Sequence, residues 1–367
     1  MRHSITAVVL CVALLLPGCI TNLGSRAITR THFSYNEAVS RSWNEQFVLN
    51  LVRLRYRDTP FFLEVGNILA QYELRLSTDA NGTIIEGAGN VLGLSLGGSY
   101  SERPTITYIP LTGERYVQSV LKPIPPVVLF LLSQSGWSIE RLFLCCVSET
   151  NGIRNAPSAT GPTPTRAPIY DDFNRISYLL RQIQVAGKLA VRYDLIEGAS
   201  RTEASNYEPY ISFLPGADET IVAEIRSLLG LPEGIDEFHV VGHYAAERNP
   251  EDIVLTGRSV LGVLYYLSQA VEAPEEDEQA GRVTVTRTLT GERFDWHEAG
   301  GGLLQIRTAN EEPENTYVKV HYRDHWFFIE DSDLESKSTF SLLLLIFSLQ
   351  SAGGEGGFAP LLTVPAG

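Results

Sequence analysis

Cysteine is nearly absent: there are four in 367 residues, with Cys11 inside an N-terminal apolar run and Cys19 at its end. Only the adjacent Cys145 and Cys146 remain in the body, so no disulfide framework exists there and stability must come from packing. In the stretch RLFLCCV the pair is expected as two small apolar residues of a buried strand. Positive charge is also short, with 29 Lys and Arg against 43 Asp and Glu, a net charge of −14. So acidic a chain, without a basic stripe, repels a phosphate backbone, which excludes nucleic acid as a partner. Long apolar runs are missing from the body. Its most apolar stretch, 340–349, has the length of a buried core helix rather than of a bilayer span. No repeat period is present. What is there is a globular composition, 44% hydrophobic and 20% charged, long enough for one large core or two smaller ones.

The chain opens MRHSITAVVLCVALLLPGC, in which a basic start, Arg2 and His3, precedes an apolar run over 5–16, then small residues and a cysteine. That is the layout of a secretory signal, too short to span a membrane as a mature helix. Leu16-Pro17-Gly18-Cys19 resembles the lipobox of bacterial lipoproteins. The resemblance implies cleavage after Gly18 and lipidation of Cys19. With Ile20 following, it also implies an outer-membrane destination facing the periplasm. Removing 1–18 takes one basic residue with it and leaves 28 − 43 = −15. Such a body avoids anionic headgroups, so the acyl chains do the anchoring, at ~0.8 kcal/mol per buried methylene. Three later stretches, LNLVRLRYRDTPFFLEV, YSERPTITYIPLTGE and HYRDHWFFIEDSDLESKSTFSLL, resemble bacterial hypothetical lipoproteins, a likeness that carries no activity and no site residue.

Helical and strand periodicities are mixed without regular βαβ alternation. That predicts an α+β fold, with mixed, mostly antiparallel sheets packed with helices, in two subdomains behind the lipidated tether. The expected order is signal peptide 1–18, lipidated cysteine and tether 19–33, N-terminal domain 34–154, Pro/Thr-rich linker 155–168 and C-terminal domain 169–367. Ser34 and Glu37 read as a capping box. The helix it starts carries Val39, Trp43, Phe47, Leu51 and Leu54 at spacings of three and four, and stops before Pro60. Arg55 and Arg57 at its end are expected to reach acidic neighbours on a solvated face. Strands are predicted over 68–76, 91–100 and 105–109, with a turn at Asp79-Ala80-Asn81-Gly82. Beyond the linker, helices are predicted around 173–187, 218–229, 258–271 and 333–350, the last two apolar nearly all round and therefore sheathed by other elements. Strands are predicted near 189–195, 210–214, 237–244, 282–289, 303–308, 317–322, 326–329 and 361–364. The stretch EAPEEDE, 272–278, reads as a solvated acidic loop.

Gly93-Leu94-Ser95-Leu96-Gly97 spells the G-x-S-x-G nucleophile elbow of serine hydrolases. An elbow needs a sharp turn between a strand and a helix. Here Leu92, Leu94 and Leu96 alternate with Gly93, Ser95 and Gly97, and a turn and another strand follow. The motif therefore reads as continuous strand with a small-residue face open to close approach. GAGNVLG, 87–93, is followed by no helix N-terminus to hold a pyrophosphate, which excludes dinucleotide binding. The candidate metal ligands are two H-x-x-x-H pairs, His239/His243 and His321/His325. On strands such positions lie ~13 Å apart. A site would need one histidine of each pair together with Asp324, Glu237 or His297, and surface or turn roles are expected instead. The acidic run 330–335 lacks the glycine and distant bidentate Glu of an EF-hand, and its carboxylates suit the positive end of a helix.

No catalytic residue and no cofactor is assigned. The leading expectation is a non-enzymatic, membrane-anchored lipoprotein with a structural, assembly or recognition role in the cell envelope and a protein partner there. The second is a subunit of an oligomeric export or pore complex, because 68–76 and 91–100 each match the roughly 9–11 residues of a tilted transmembrane strand. The third is an envelope hydrolase whose site residues are scattered along the chain.

Overall fold

The computed structural model describes residues 23–83, 91–156, 165, 167–196, 206–243 and 249–351. Helices and mostly antiparallel sheets are combined in an α+β fold. The chain divides into two compact units, a smaller one within 61–113 and a larger one that takes up 23–60 and the chain from 114 onward.

The smaller unit is a single antiparallel ribbon of β1 (Leu63–Thr83) and β2 (Val91–Pro110). The expected turn at Asp79-Ala80-Asn81-Gly82 is overturned: these residues stay in β1, opposite Ser95, Leu94, Gly93 and Leu92. Turn-prone residues are overridden there because cross-strand pairing satisfies their backbone groups. The expected third strand at 105–109 is the continuation of β2.

The larger unit begins with α1 (Leu23–Arg55). This helix does not start at Ser34: residues 23–33 of the expected tether are helical, and Glu37 pairs with Arg41 one turn on, at 3.5 Å, instead of closing a capping box. A helical turn α2 (Gly113–Tyr116) and a π-helical turn (Val117–Leu121) lead to α3 (Pro126–Gln134), opened by proline, and α4 (Ile139–Cys146), where Ser138 Oγ accepts from the Arg141 amide. Cys145 and Cys146 are free and buried as expected, but on this helix rather than on a strand. Ile139, Leu142, Phe143 and Cys146 recur at spacings of three and four, and the helical stripe outweighs the local β-propensity.

Strands β3 (Val147–Thr150) and β4 (Ile153–Arg154), helix α5 (Asp171–Val185), strands β5 (Leu189–Leu195) and β6 (Tyr207–Phe213), helix α6 (Glu219–Leu229), and strands β7 (Glu237–Gly242) and β8 (Ile253–Gly257) follow. They build one six-stranded sheet in the order β4-β3-β8-β7-β6-β5, antiparallel except for β7 and β8. Because β3 pairs with β8, the sheet runs across the expected linker at 155–168, and 34–154 and 169–367 are not separate domains. Asn155, the first residue of that segment, is buried and donates to the carbonyls of Leu144 and Val147.

Helix α7 (Val260–Ser268) packs against α1, α4, the π-turn and the final helix α10 (Leu334–Ser351), so the all-apolar helix is indeed sheathed. Arg258, just before it, is 3% exposed. Its guanidinium donates to the carbonyls of Leu144 and Cys145, both at 2.8 Å, and of Ala156 at 2.9 Å, and lies over the Tyr266 ring. A cation at the carbonyl end of α4 is where the helix dipole favours one. Short helices α8 (Glu275–Gln279) and α9 (Trp296–Ala299) precede a three-stranded sheet, β10-β11-β9, made of β9 (Arg307–Ala309), β10 (Thr316–Tyr322) and β11 (His325–Glu330). The strand expected at 282–289 is a loop with one bridge, Arg287 to Arg293, and of 303–308 only the last two residues enter a strand. Helix α10 is not covered on all sides. Phe340, Leu342, Leu343, Ile346 and Phe347 are buried, whereas Leu345 is 36% and Leu349 47% exposed. The strand expected at 361–364 lies outside the described residues.

Candidate functional site

Arg57 sits on a solvated face as expected, but Arg55 does not. Arg55 is 4% exposed and donates to the backbone carbonyls of Val271 and Thr284, while Arg57 donates to the Thr284 hydroxyl. EAPEEDE is likewise no solvated loop, since part of it forms α8. The Asp277 carboxylate is buried and accepts from Tyr56 and Arg282, Glu278 pairs with Arg293, and Glu276 lies 2.9 Å from His325. Tyr56 and His325, distant in sequence, join the nearby Arg282 and Arg293 around these acids, which local composition does not encode. Burial by itself raises the Asp277 carboxyl, but the two hydrogen bonds and the charges of Arg282 and His325 outweigh it and hold the pKa below the usual carboxylate value. The network clasps the end of α1.

The four candidate histidines do not converge. His239 on β7 stacks on Tyr210, with centroids 4.6 Å apart. Carboxylates flank it on opposite sides, Glu208 3.4 Å from Nε2 and Asp252 3.7 Å from Nδ1, so no single point is shared by all three. His243 follows the end of β7, and its amide donates to Leu255. His321 packs edge-on to Trp326, and His325 is tied by its two ring nitrogens to Glu276 and Asn310. Among the described residues no group of three or more His, Cys, Asp or Glu side chains is placed to hold a metal ion. Cys19 lies outside the described residues.

Ser95 is the fifth residue of β2, opposite Asp79, with strand on both sides and no helix to form an elbow's second arm. What the motif belongs to is visible only in the register. Residues directly opposite in an antiparallel pair share a face, and successive residues alternate faces. From Tyr72 to Gly82 on β1, paired with Leu92 to Glu102 on β2, one face of the ribbon holds Tyr72, Leu74, Leu76, Thr78, Ala80 and Gly82 with Leu92, Leu94, Leu96, Gly98 and Tyr100. None of these is charged; the first charge on that face is Glu102, opposite Tyr72. The other face holds Glu73, Arg75, Ser77, Asp79 and Asn81 with Gly93, Ser95, Gly97, Ser99 and Ser101, none of them apolar beyond glycine. The small residues of G-x-S-x-G are thus one half of a polar face whose other half comes from β1.

This stretch of 11 residues per strand is ~36 Å long at 3.3 Å per residue and ~25 Å tall at the ~45° tilt of barrel strands, the height of a barrel's apolar band. Tyr72 and Tyr100 stand at one end of it, where barrels carry aromatic girdles. Pro104 lies just beyond, and the crossing stretch itself has no proline to interrupt further pairing. A bulge between Val65 and Ile68 marks the root of the ribbon. Among the described residues, neither outer edge of the ribbon has a third strand. No described helix is long and apolar enough to cross a membrane. Compared with known proteins, the chain matches no family model, no curated protein and no solved structure.

Proposed function

We propose that this chain is a lipid-anchored envelope protein whose β1–β2 ribbon enters a bilayer as one hairpin of a barrel closed by several copies. The observation that carries the reading is the register: over 72–82 and 92–101, about one bilayer height, one face carries no charge and the other is polar, and Glu102 is the first charge at the end of the apolar face. Alone in water such a ribbon is marginal, and it leaves an apolar face and two hydrogen-bonding edges unsatisfied. Copies arranged in a ring answer all three needs at once: edges pair, apolar faces meet lipid and polar faces line a lumen. Lipidation at Cys19 supports the reading by holding the chain at the membrane, and the acidic body remains in the aqueous compartment.

Two variants test it. In Cys19→Ser the acyl acceptor thiol is gone, and the protein is expected in the soluble fraction or unprocessed. If this variant still matures and fractionates with membranes, the anchor is elsewhere. In the second, residues 68–106 are replaced by a short Gly/Ser turn. Wild type is expected to give stepwise conductance in planar bilayers and cross-linked oligomers, both lost in this variant while the larger unit keeps its circular dichroism. Wild-type protein that stays monomeric and passes no current counts against the barrel.

A further inference from the structure

We infer that Asp79 sets the ionic preference of the barrel and that the lumen favours small cations; this rests on the barrel reading above. Between Tyr72 and Gly82 the polar face carries three charged positions, Glu73, Arg75 and Asp79, and the paired stretch of β2 adds none. Glu73 and Arg75 are successive on that face, about 7 Å apart along the strand. That is within the Debye length of about 8 Å at physiological salt, so the two largely cancel. Asp79 is four residues from Arg75, about 13 Å, beyond that length. Its register partner is Ser95, and the neighbouring pairs on the face are Ser77 with Gly97 and Asn81 with Gly93, all uncharged. Arg103, opposite Gln71, falls outside the crossing stretch.

Each copy therefore contributes one uncompensated negative charge at a single height, and a ring of copies contributes a ring of carboxylates. Rings of Asp or Glu favour cations, because a narrow pore with low-dielectric walls focuses their potential. The Gly/Ser positions of β2 add no opposing charge.

The test is the reversal potential of full-length lipidated protein in planar bilayers under a KCl gradient. Wild type is expected to pass K⁺ in preference to Cl⁻. Asp79→Asn should lower the permeability ratio several-fold, and Arg75→Gln should raise it. Wild-type channels that prefer Cl⁻, or an Asp79→Asn channel with an unchanged ratio, overturn the inference and leave the barrel standing. If Asp79→Asn does not assemble, Arg75→Gln decides: a raised ratio supports the assignment and an unchanged one defeats it. Absence of any wild-type channel overturns the barrel itself, and this inference with it.

Discussion

The phenol of Tyr56, at the end of α1, donates a hydrogen bond to the carboxylate of Asp277, which is 2% exposed and lies 221 residues further along the chain. Arg282 donates to the other carboxylate oxygen, and Arg323 lies 4.9 Å over the Tyr56 ring and pairs with Asp58 at 2.9 Å. Three segments far apart in sequence thus meet around one buried charge.

A pH dependence follows from this arrangement. The folded-state pKa of Asp277 is depressed, so its contribution to stability is complete above the unfolded value of about 4 and is lost as pH falls toward the folded one. Tyr56→Phe removes one donor from a buried carboxylate and should cost ~1–3 kcal/mol at neutral pH. It should also make the loss of stability below about pH 4 shallower, since the carboxyl then sits closer to its unfolded value. Urea unfolding from pH 2 to 7 reads both effects, and parallel curves for wild type and variant would contradict them.

Gly257, at the end of β8, has no room for a side chain: a Cβ there would lie 2.3 Å from the Ile124 carbonyl oxygen. That carbonyl belongs to backbone held in place by the Ile124 amide, which donates to Arg258 at 3.0 Å. Gly257→Ala should therefore cost ~1–3 kcal/mol by forcing the strand and the 122–125 segment apart. A thermal midpoint equal to wild type would show that the segment yields freely.

Helix α10 offers a paired test of which face is core. Phe347 is 2% exposed, with its ring 5.0 Å from Phe47 and 5.9 Å from Trp43 on α1. Phe347→Ala should cost ~3–5 kcal/mol. Leu345→Ala, on the open stripe, should stay below about 1 kcal/mol, within the usual range for surface positions. Equal losses in chemical denaturation would mean that the stripe is covered.

Much of the element order was legible in the residues themselves. Asp218 caps α6 through the amides of Thr220 and Ile221, and Gly230 ends the same helix at a φ of 67°. Pro125-Pro126 opens α3, and β5, β6, β10 and β11 fall close to where alternation predicts them. The alternation of 68–76 and 91–100 was equally visible, and so was the failure of Ser95 as an elbow. The candidate site was legible only in part. Each strand showed its own apolar and polar positions, but not which residue of the other strand stood beside them.

Periodicity, caps and turn residues act over a few positions, so sequence alone determined the α+β class, most helices, the shortage of disulfides and the acidity of the body. Tertiary structure alone decided what depends on distant partners. It joined strands on either side of 155–168 in one six-stranded sheet, because β3 finds its mate in β8. It drew Asp277 and Arg55 inside, because buried charges persist only where remote donors and carbonyls satisfy them. It also fixed the register that sets Leu74 opposite Tyr100 and Asp79 opposite Ser95, where a one-residue slip would exchange the faces of one strand and destroy the two-sided ribbon.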